Sequence, residues 1–140
     1  MNQNQNQIIT STKYSTDLAS TCIQKWMPGA INPITIAGVQ PEDPEEFYYP
    51  VFAYVAADGT TYVVDPQRDQ VQKWTPGATE GITVAGGNGD GKNSNQFDWP
   101  TGVYVDINGN IFVEDTKFNH RIQKWAPGAT EGITVLNLSK

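Results

Sequence analysis

The octapeptide Ile122-Gln123-Lys124-Trp125-Ala126-Pro127-Gly128-Ala129 is the last of three copies of one motif in this chain. The earlier copies lie at residues 23–30 and 71–78, and both keep Gln-Lys-Trp followed by Pro-Gly. Their tryptophans, Trp26, Trp74 and Trp125, return at a spacing of about fifty residues. A motif that returns at such a period is typical of a repeat architecture, in which each copy belongs to one small structural unit.

Each repeat is predicted to contain four short strands, A to D. In the most regular copy, turn residues separate strands predicted at residues 101–106, 110–115, 121–126 and 132–136. Asn108-Gly109 supplies the positive φ that a tight hairpin needs, and Pro127-Gly128 suits the centre of a type II turn. Both faces of residues 103–105 are apolar, so neighbouring units must cover both faces. Four-stranded units repeated every 40 to 50 residues or so are typical of β-propeller blades.

The sequence therefore predicts an all-β fold of about two and a half to three four-stranded antiparallel blades. The blades are predicted at approximately residues 12–38, 47–86 and 97–136, and the first lacks its innermost strand. Residues 1–11 form an Asn/Gln-rich tail that is predicted to be disordered. Because closed propellers have about four to eight blades, the ring is expected to be incomplete. A fragment of a longer protein, several copies that complete a ring, and a short open array all remain open.

The third unit also resembles a known repeat family. Its distinctive residues include Phe97, Pro100, Gly102, Val103, Gly109, Asp115, and the run Asn119-His120-Arg121-Ile122-Gln123. This pattern is similar to the NHL repeat, and the resemblance extends with more drift back to about Lys13. It implies an NHL-type propeller that binds other macromolecules, mainly proteins, through a loop face. Other members resemble metal-binding enzymes that use several channel histidines, or bind single-stranded RNA through basic loops.

Residues that recur in each unit are predicted to serve the fold rather than a ligand. The set comprises the tryptophans Trp26, Trp74 and Trp125 and the aspartates Asp17, Asp65 and Asp115. The tryptophans are predicted to fill the space between blades. The aspartates are predicted to accept hydrogen bonds from the following turn or to pair with arginine.

Non-repeated aromatic and charged residues in the loops are the candidate partner-binding residues. Strand alternation places the B–C and D–A loops on one face, which gathers Tyr48, Tyr49, Arg68, Trp99, Phe118 and His120. Aromatic rings and arginine dominate interface energetics when they can be desolvated. Trp99 and Tyr49 precede equivalent prolines, so packing as loop anchors is an equal alternative for these two residues.

Charge and composition narrow the classes of function. The formal net charge of −6 and the acidic loop at residues 42–46 disfavour nucleic acid, including RNA. One cysteine, Cys22, and one histidine, His120, cannot form an intrachain disulfide or a usual zinc site. No serine or cysteine nucleophile stands beside a histidine, so no catalytic residue is predicted. Enzymatic activity is retained as an alternative, in which the chain is a fragment or subunit of a metal-dependent lyase or lactonase-like propeller.

No cofactor is predicted. The glycine-rich residues 86–91 lack the following helix that a phosphate site needs, which favours a flexible inter-blade loop. Calcium is a weaker alternative there, because the oxygen-bearing side chains lack the EF-hand spacing. Partners are expected to be protein, with a homo-oligomer that completes a ring as a further alternative. No signal peptide or transmembrane segment is predicted, so the chain is expected to be soluble, with its compartment open.

Overall fold

The protein is all β, as predicted. The computed structural model describes residues 11–17, 22–38 and 52–139, and these residues form no helix. The strands are β1 (Lys13–Asp17), β2 (Cys22–Trp26), β3 (Ile34–Gly38), β4 (Phe52–Val55), β5 (Thr61–Asp65), β6 (Gln70–Trp74), β7 (Ile82–Gly86), β8 (Gly102–Val105), β9 (Ile111–Asp115), β10 (Arg121–Trp125) and β11 (Ile133–Asn137). Residues 1–10, whose disorder was predicted, lie outside the described residues.

The strands form three antiparallel sheets in which sequence neighbours pair. The first sheet has the order β1-β2-β3, the second β4-β5-β6-β7, and the third β8-β9-β10-β11. The three strands of the first sheet correspond to B, C and D of the repeat, so the innermost strand is absent from its described residues. Strand β11 begins one residue later than predicted, at the position where β3 and β7 also begin, and the N–H of the preceding Gly132 donates to the carbonyl of Ser94.

The same irregularity recurs in every sheet. The pairing between strands C and D shifts by one residue just before the repeated glutamine. The extra residues are Ile36, Val84 and Val135. A bulge of this kind increases the local twist of the sheet. The repeat therefore preserves local backbone irregularities as well as strand number.

Two hydrophobic interfaces hold the three sheets together. Trp74 and Val63 of the second sheet pack with Ile23 of the first sheet. On the opposite face of the second sheet, Val64 belongs to a cluster that includes Trp125 of the third sheet. Adjacent residues of β5 thus face different neighbours, and the middle sheet is buried on both sides, as expected for a blade.

Each end of the row of sheets has an uncovered face. Trp74 and Trp125 are 1% and 2% exposed, whereas Trp26 at the corresponding position of the first sheet is only half-buried. At the other end, Leu136 is 47% exposed, although Ala85 at the equivalent position of the second sheet is 2% exposed. The described sheets therefore form an incomplete ring.

Candidate functional site: the loop face

The loops divide between two opposite faces, as the strand alternation predicts. We define the loop face as residues 66–69, 87–101 and 116–120, which connect strands at one end of the second and third sheets. The A–B and C–D turns of the two sheets form the turn face at the other end. The loop face is continuous, since the side-chain amide of Asn119 donates to the carbonyl of Gly91 at 2.8 Å.

Arg121 clamps the D–A loop onto the third sheet. Its Nε donates to Oδ2 of Asp115 at 2.9 Å, and Asp115 has no exposed surface. Its terminal nitrogens donate, at 2.7 to 3.0 Å, to the carbonyls of Lys92, Asn93 and Gln96. A planar guanidinium thus fixes three carbonyls in the segment that follows the glycine-rich residues 86–91. Asp115 is thus the acidic partner of Arg121 in this clamp.

Trp99 is held between two sheets through its backbone. Its N–H donates to Oδ1 of Asp69 in the second sheet's B–C loop at 2.8 Å. The preceding N–H, of Asp98, donates to Oδ1 of Asp115 in the third sheet at 3.0 Å. The φ of Trp99 is 58°, a left-handed value that bulky residues rarely adopt. Such a conformation costs of order 1–3 kcal/mol and persists where surrounding bonds enforce it, and here they leave the ring half-buried on the loop face.

Asp69 and His120 occupy the same position in successive sheets. Each immediately precedes strand C and has a φ of 52°. The carbonyl of Asp69 accepts the N–H of Gly87 at 2.9 Å, and that of His120 accepts the N–H of Leu138 at 2.6 Å. In the second sheet this position binds the next blade through its carboxylate, whereas the exposed imidazole of His120 stands on the loop face.

Carboxylates are concentrated around Asp69. Burial raises the pKa of Asp69, and the charges of Asp98, Asp90 and Asp115 raise it further, against the lowering effect of the hydrogen bond from Trp99. Because the folded-state pKa lies above the ordinary value of 3.8, ionisation of Asp69 lowers stability as the pH rises through that pKa. The loop face thus combines the carboxylates of Asp69, Asp90 and Asp98 with the cations of Arg68, Lys92 and Lys117.

Two aromatic rings on the loop face share one cation. Nζ of Lys117 lies 4.9 Å from the centroid of a Trp99 ring and 5.3 Å from that of Phe118. Both distances lie within the range of about 6 Å for cation–π contacts. Phe118 is more than half exposed, and we call Trp99 and Phe118 the aromatic pair. Sequence analysis missed Lys117, although its place beside Phe118 in a non-repeated loop was a usable signal.

The other predicted residues are less closely grouped. Arg68 is partly exposed and engaged by Asp65, since its N–H donates to Oδ1 at 3.3 Å and its Nε lies 3.9 Å from Oδ2. Asp17 ends β1 opposite Cys22, as Asp65 and Asp115 end the equivalent strands. Tyr48 and Tyr49 lie outside the described residues. The structure thus brings together Trp99, Phe118 and His120 in adjoining loops of the third blade.

The larger clefts lie elsewhere, on the turn face. One cleft of about 530 Å³ between the second and third sheets is lined in part by Tyr62 and Lys73. A second, of about 340 Å³, lies between the first and second sheets and includes the equivalent Tyr14 and Lys25. A third cleft, of about 310 Å³, is the repeat equivalent of the second, since Thr83 and Pro127 line it where Thr35 and Pro76 line the second. Because this cleft recurs between successive sheets, we attribute it to blade packing. Within residues 11–17, 22–38 and 52–139, no group of three or more His, Cys, Asp and Glu side chains is arranged to hold a metal.

Comparison with known proteins agrees with this architecture. The family model of the NHL repeat matches residues 97–125. A solved structure described as "Streptogramin B lyase structure" is similar with a TM-score of 0.59 and 16% sequence identity over 93% of this chain. This chain spans 38% of the length of that one, and no curated protein matches it. The described sheets are thus β-propeller blades that form an incomplete set, and the third contains the match to the NHL repeat. In the described part of the chain, no helix has the length and hydropathy needed to cross a lipid bilayer.

Proposed function

We propose that this protein is a non-catalytic binding module that recognises a protein partner through its loop face. The observation that carries the proposal is the placement of Trp99. Two carboxylates from different sheets fix its backbone in a left-handed conformation while its ring stays partly accessible. A preorganised aromatic side chain loses little conformational entropy when it binds, which favours affinity.

The shape and charge of the loop face support a protein partner over the alternatives. The larger clefts are on the turn face, and the loop face presents exposed side chains that suit a macromolecular surface. The chain's net charge of −6 opposes the neutralisation of phosphates that nucleic acids require. RNA binding is therefore the less favoured alternative.

Removing the aromatic pair is expected to abolish partner binding without unfolding the protein. Trp99→Gly removes the ring and relieves the positive φ, and Phe118→Ala removes an exposed side chain. If each residue of the pair is an interface hot spot worth about 2 kcal/mol, each change weakens binding about thirtyfold. The measurement is affinity capture from cell extract with quantitative mass spectrometry, followed by titration of the captured protein against each variant.

A matched control is available on the turn face. Ile107 is fully exposed in the A–B turn of the third sheet, so Ile107→Ala also removes an exposed apolar side chain. Ile107→Ala should retain the partner that Trp99→Gly and Phe118→Ala lose, and none of the three variants should melt at a lower temperature than the wild type. Equal capture by the wild type and both loop-face variants would contradict the proposal.

The enzyme alternative has its own assay. The similar solved structure is titled as a streptogramin B lyase, but fold alone does not assign an activity. Incubation of the purified chain with streptogramin B and a divalent metal should give no product. Turnover that depends on protein concentration would overturn the non-catalytic proposal.

We also propose that copies of this chain associate through their uncovered sheet faces. The first sheet presents Trp26 where Trp74 and Trp125 insert into the neighbouring sheet. The third sheet presents Leu136 where Ala85 is buried by the next sheet. These faces differ, so the contact would be heterologous and could lead to a ring. Glu114 stands where Val64 is buried, so we expect the association to be weak and reversible.

Substitution of Leu136 by lysine is expected to shift the chain toward monomer. A charge placed in an apolar interface loses hydration without gaining a partner. Ile133→Lys is the control, because Ile133 is 70% exposed and the equivalent Ile82 remains 63% exposed although the third sheet covers the second. Sedimentation velocity over a concentration series measures the effect. A wild type that stays monomeric, or equal effects of the two substitutions, would argue against this association.

A further inference from the structure

We propose that the aromatic pair is a receptor for a lysine or arginine side chain of the partner protein. In the free chain, Lys117 occupies this receptor as an internal substitute. The inference rests on the proposed protein-binding function and specifies the chemistry of the partner. It predicts a basic segment in the partner, one of whose cations replaces the ammonium of Lys117 over Trp99 and Phe118.

The position of Lys117 is the first observation that supports this assignment. The chain has fifteen acidic side chains, yet the ion pairs of its described part are Arg68–Asp65 and Arg121–Asp115. The Lys117 ammonium lies instead over two aromatic faces. Ring faces carry the negative end of the quadrupole, which attracts a cation directly. The geometry therefore already shows that the pair accepts an ammonium group.

The unequal anchoring of Trp99 and Lys117 is the second observation. Trp99 is fixed by the hydrogen bond of its N–H to Asp69, whereas Lys117 is an exposed residue on a flexible four-carbon side chain. Lys117 can therefore leave while Trp99 keeps its place. Exchange replaces one cation–π contact by another, so the partner's cation competes with the internal one.

The charges around the aromatic pair favour a partner segment of positive charge. The carboxylates of Asp69, Asp90 and Asp98 lie close enough for each of the last two to act on the first. Once the Lys117 ammonium leaves, this side of the loop face becomes more negative, which favours a basic segment and opposes a phosphate-rich one. Nucleic acid is thus the partner class that the inference excludes.

The test is the titration of an oligolysine peptide against the wild-type chain and Lys117→Met. Methionine keeps an unbranched apolar side chain and removes the competing cation. We expect Lys117→Met to bind the peptide about two- to fivefold more tightly, as loss of a competing exposed cation–π contact implies. Adding Phe118→Leu to Lys117→Met should cancel that gain, and an oligoglutamate peptide should show no gain.

Lys92→Met is the matched control for net charge. Lys92 is an exposed lysine of the same face, and only its carbonyl is used by Arg121. An equal gain for Lys92→Met would mean that general electrostatics explains the result, and it would overturn the inference. Tighter binding of single-stranded RNA than of oligolysine by Lys117→Met would also overturn it.

Failure of this inference can be distinguished from failure of the proposed function. If Trp99→Gly loses the captured partner but Lys117→Met gains no affinity for oligolysine, protein binding stands and the cation receptor is wrong. If Lys117→Met gains affinity for oligolysine but Trp99→Gly captures the partner as well as the wild type does, the receptor exists but does not serve the proposed interaction. That result refutes the inference as stated. Thermal melts check that each variant folds. Lys117→Met should melt at the same temperature as the wild type, because Lys117 is exposed.

Discussion

Replacement of Trp125 by alanine is expected to lower the free energy of unfolding by about 3–5 kcal/mol. The indole is 2% exposed, and its ring centroid lies 5.7 Å from that of Phe97 in the interface between the second and third sheets. Alanine would leave a cavity there that the two rigid sheets cannot close. Urea denaturation followed by far-ultraviolet circular dichroism measures the loss.

The other tryptophans supply the controls for this prediction. Trp26→Ala should cost much less than Trp125→Ala, because Trp26 is only half-buried. Trp125→Phe should be milder than Trp74→Phe, since Nε1 of Trp125 has no hydrogen-bond partner among the described residues. Nε1 of Trp74 instead donates to Oε1 of Gln72 at 3.3 Å, and its loss leaves a buried acceptor without that donor. Equal costs for Trp26→Ala and Trp125→Ala would refute this account of blade packing.

Replacement of Arg121 by methionine is expected to lower the free energy of unfolding by about 3–5 kcal/mol. The substitution keeps the aliphatic bulk but leaves the carboxylate of Asp115, which has no exposed surface, without its cation. Removing one partner of a buried ion pair is strongly destabilising for this reason. The D–A loop also loses the donors to three of its carbonyls. Urea denaturation gives the cost, and hydrogen exchange should show lost protection in residues 91–97.

A double-mutant cycle separates the ion pair from the loop contacts. Asp115→Asn removes the charge and keeps the size of the side chain, but it replaces one acceptor oxygen by an amide NH2. If the buried charge dominates the cost of Arg121→Met, the double variant should be more stable than the sum of the single costs predicts. Strict additivity would show that Arg121 acts mainly through the loop carbonyls, contrary to this prediction.

The fold could be predicted from the sequence because every copy of the repeat forms the same strand and the same following turn. Each copy of Gln-Lys-Trp is a strand C, and each Pro-Gly lies in the following turn, so local chemistry and period agree. The half-buried state of Trp26 follows from an uncovered neighbour, however, and the motif alone does not contain that information. The same tryptophan therefore belongs to the core in two sheets and lies near the edge in the first.

The loop face was predictable in outline and not in its contacts. Strand alternation placed Trp99, Phe118 and His120 on one face. The hydrogen bond from Trp99 to Asp69 spans 30 residues. No local sequence pattern therefore predicts the positive φ of Trp99. The equivalence of Asp69 and His120 is also obscured, because the second B–C loop is one residue shorter than the third. Aligning the two loops on the start of strand C would have revealed it.

The pairing of sequence neighbours within each sheet has a consequence for how the chain refolds. Every ladder in the described residues joins consecutive strands, and the side-chain bonds from Trp99 to Asp69 and from Ser94 to Glu131 span 30 and 37 residues. Chain segments of this size close at modest entropic expense, and each further doubling of length adds only about 0.6 kcal/mol. Refolding can therefore proceed one sheet at a time, with each finished sheet acting as the template for the next. The slow search that brings distant chain ends together is not a step in forming this core.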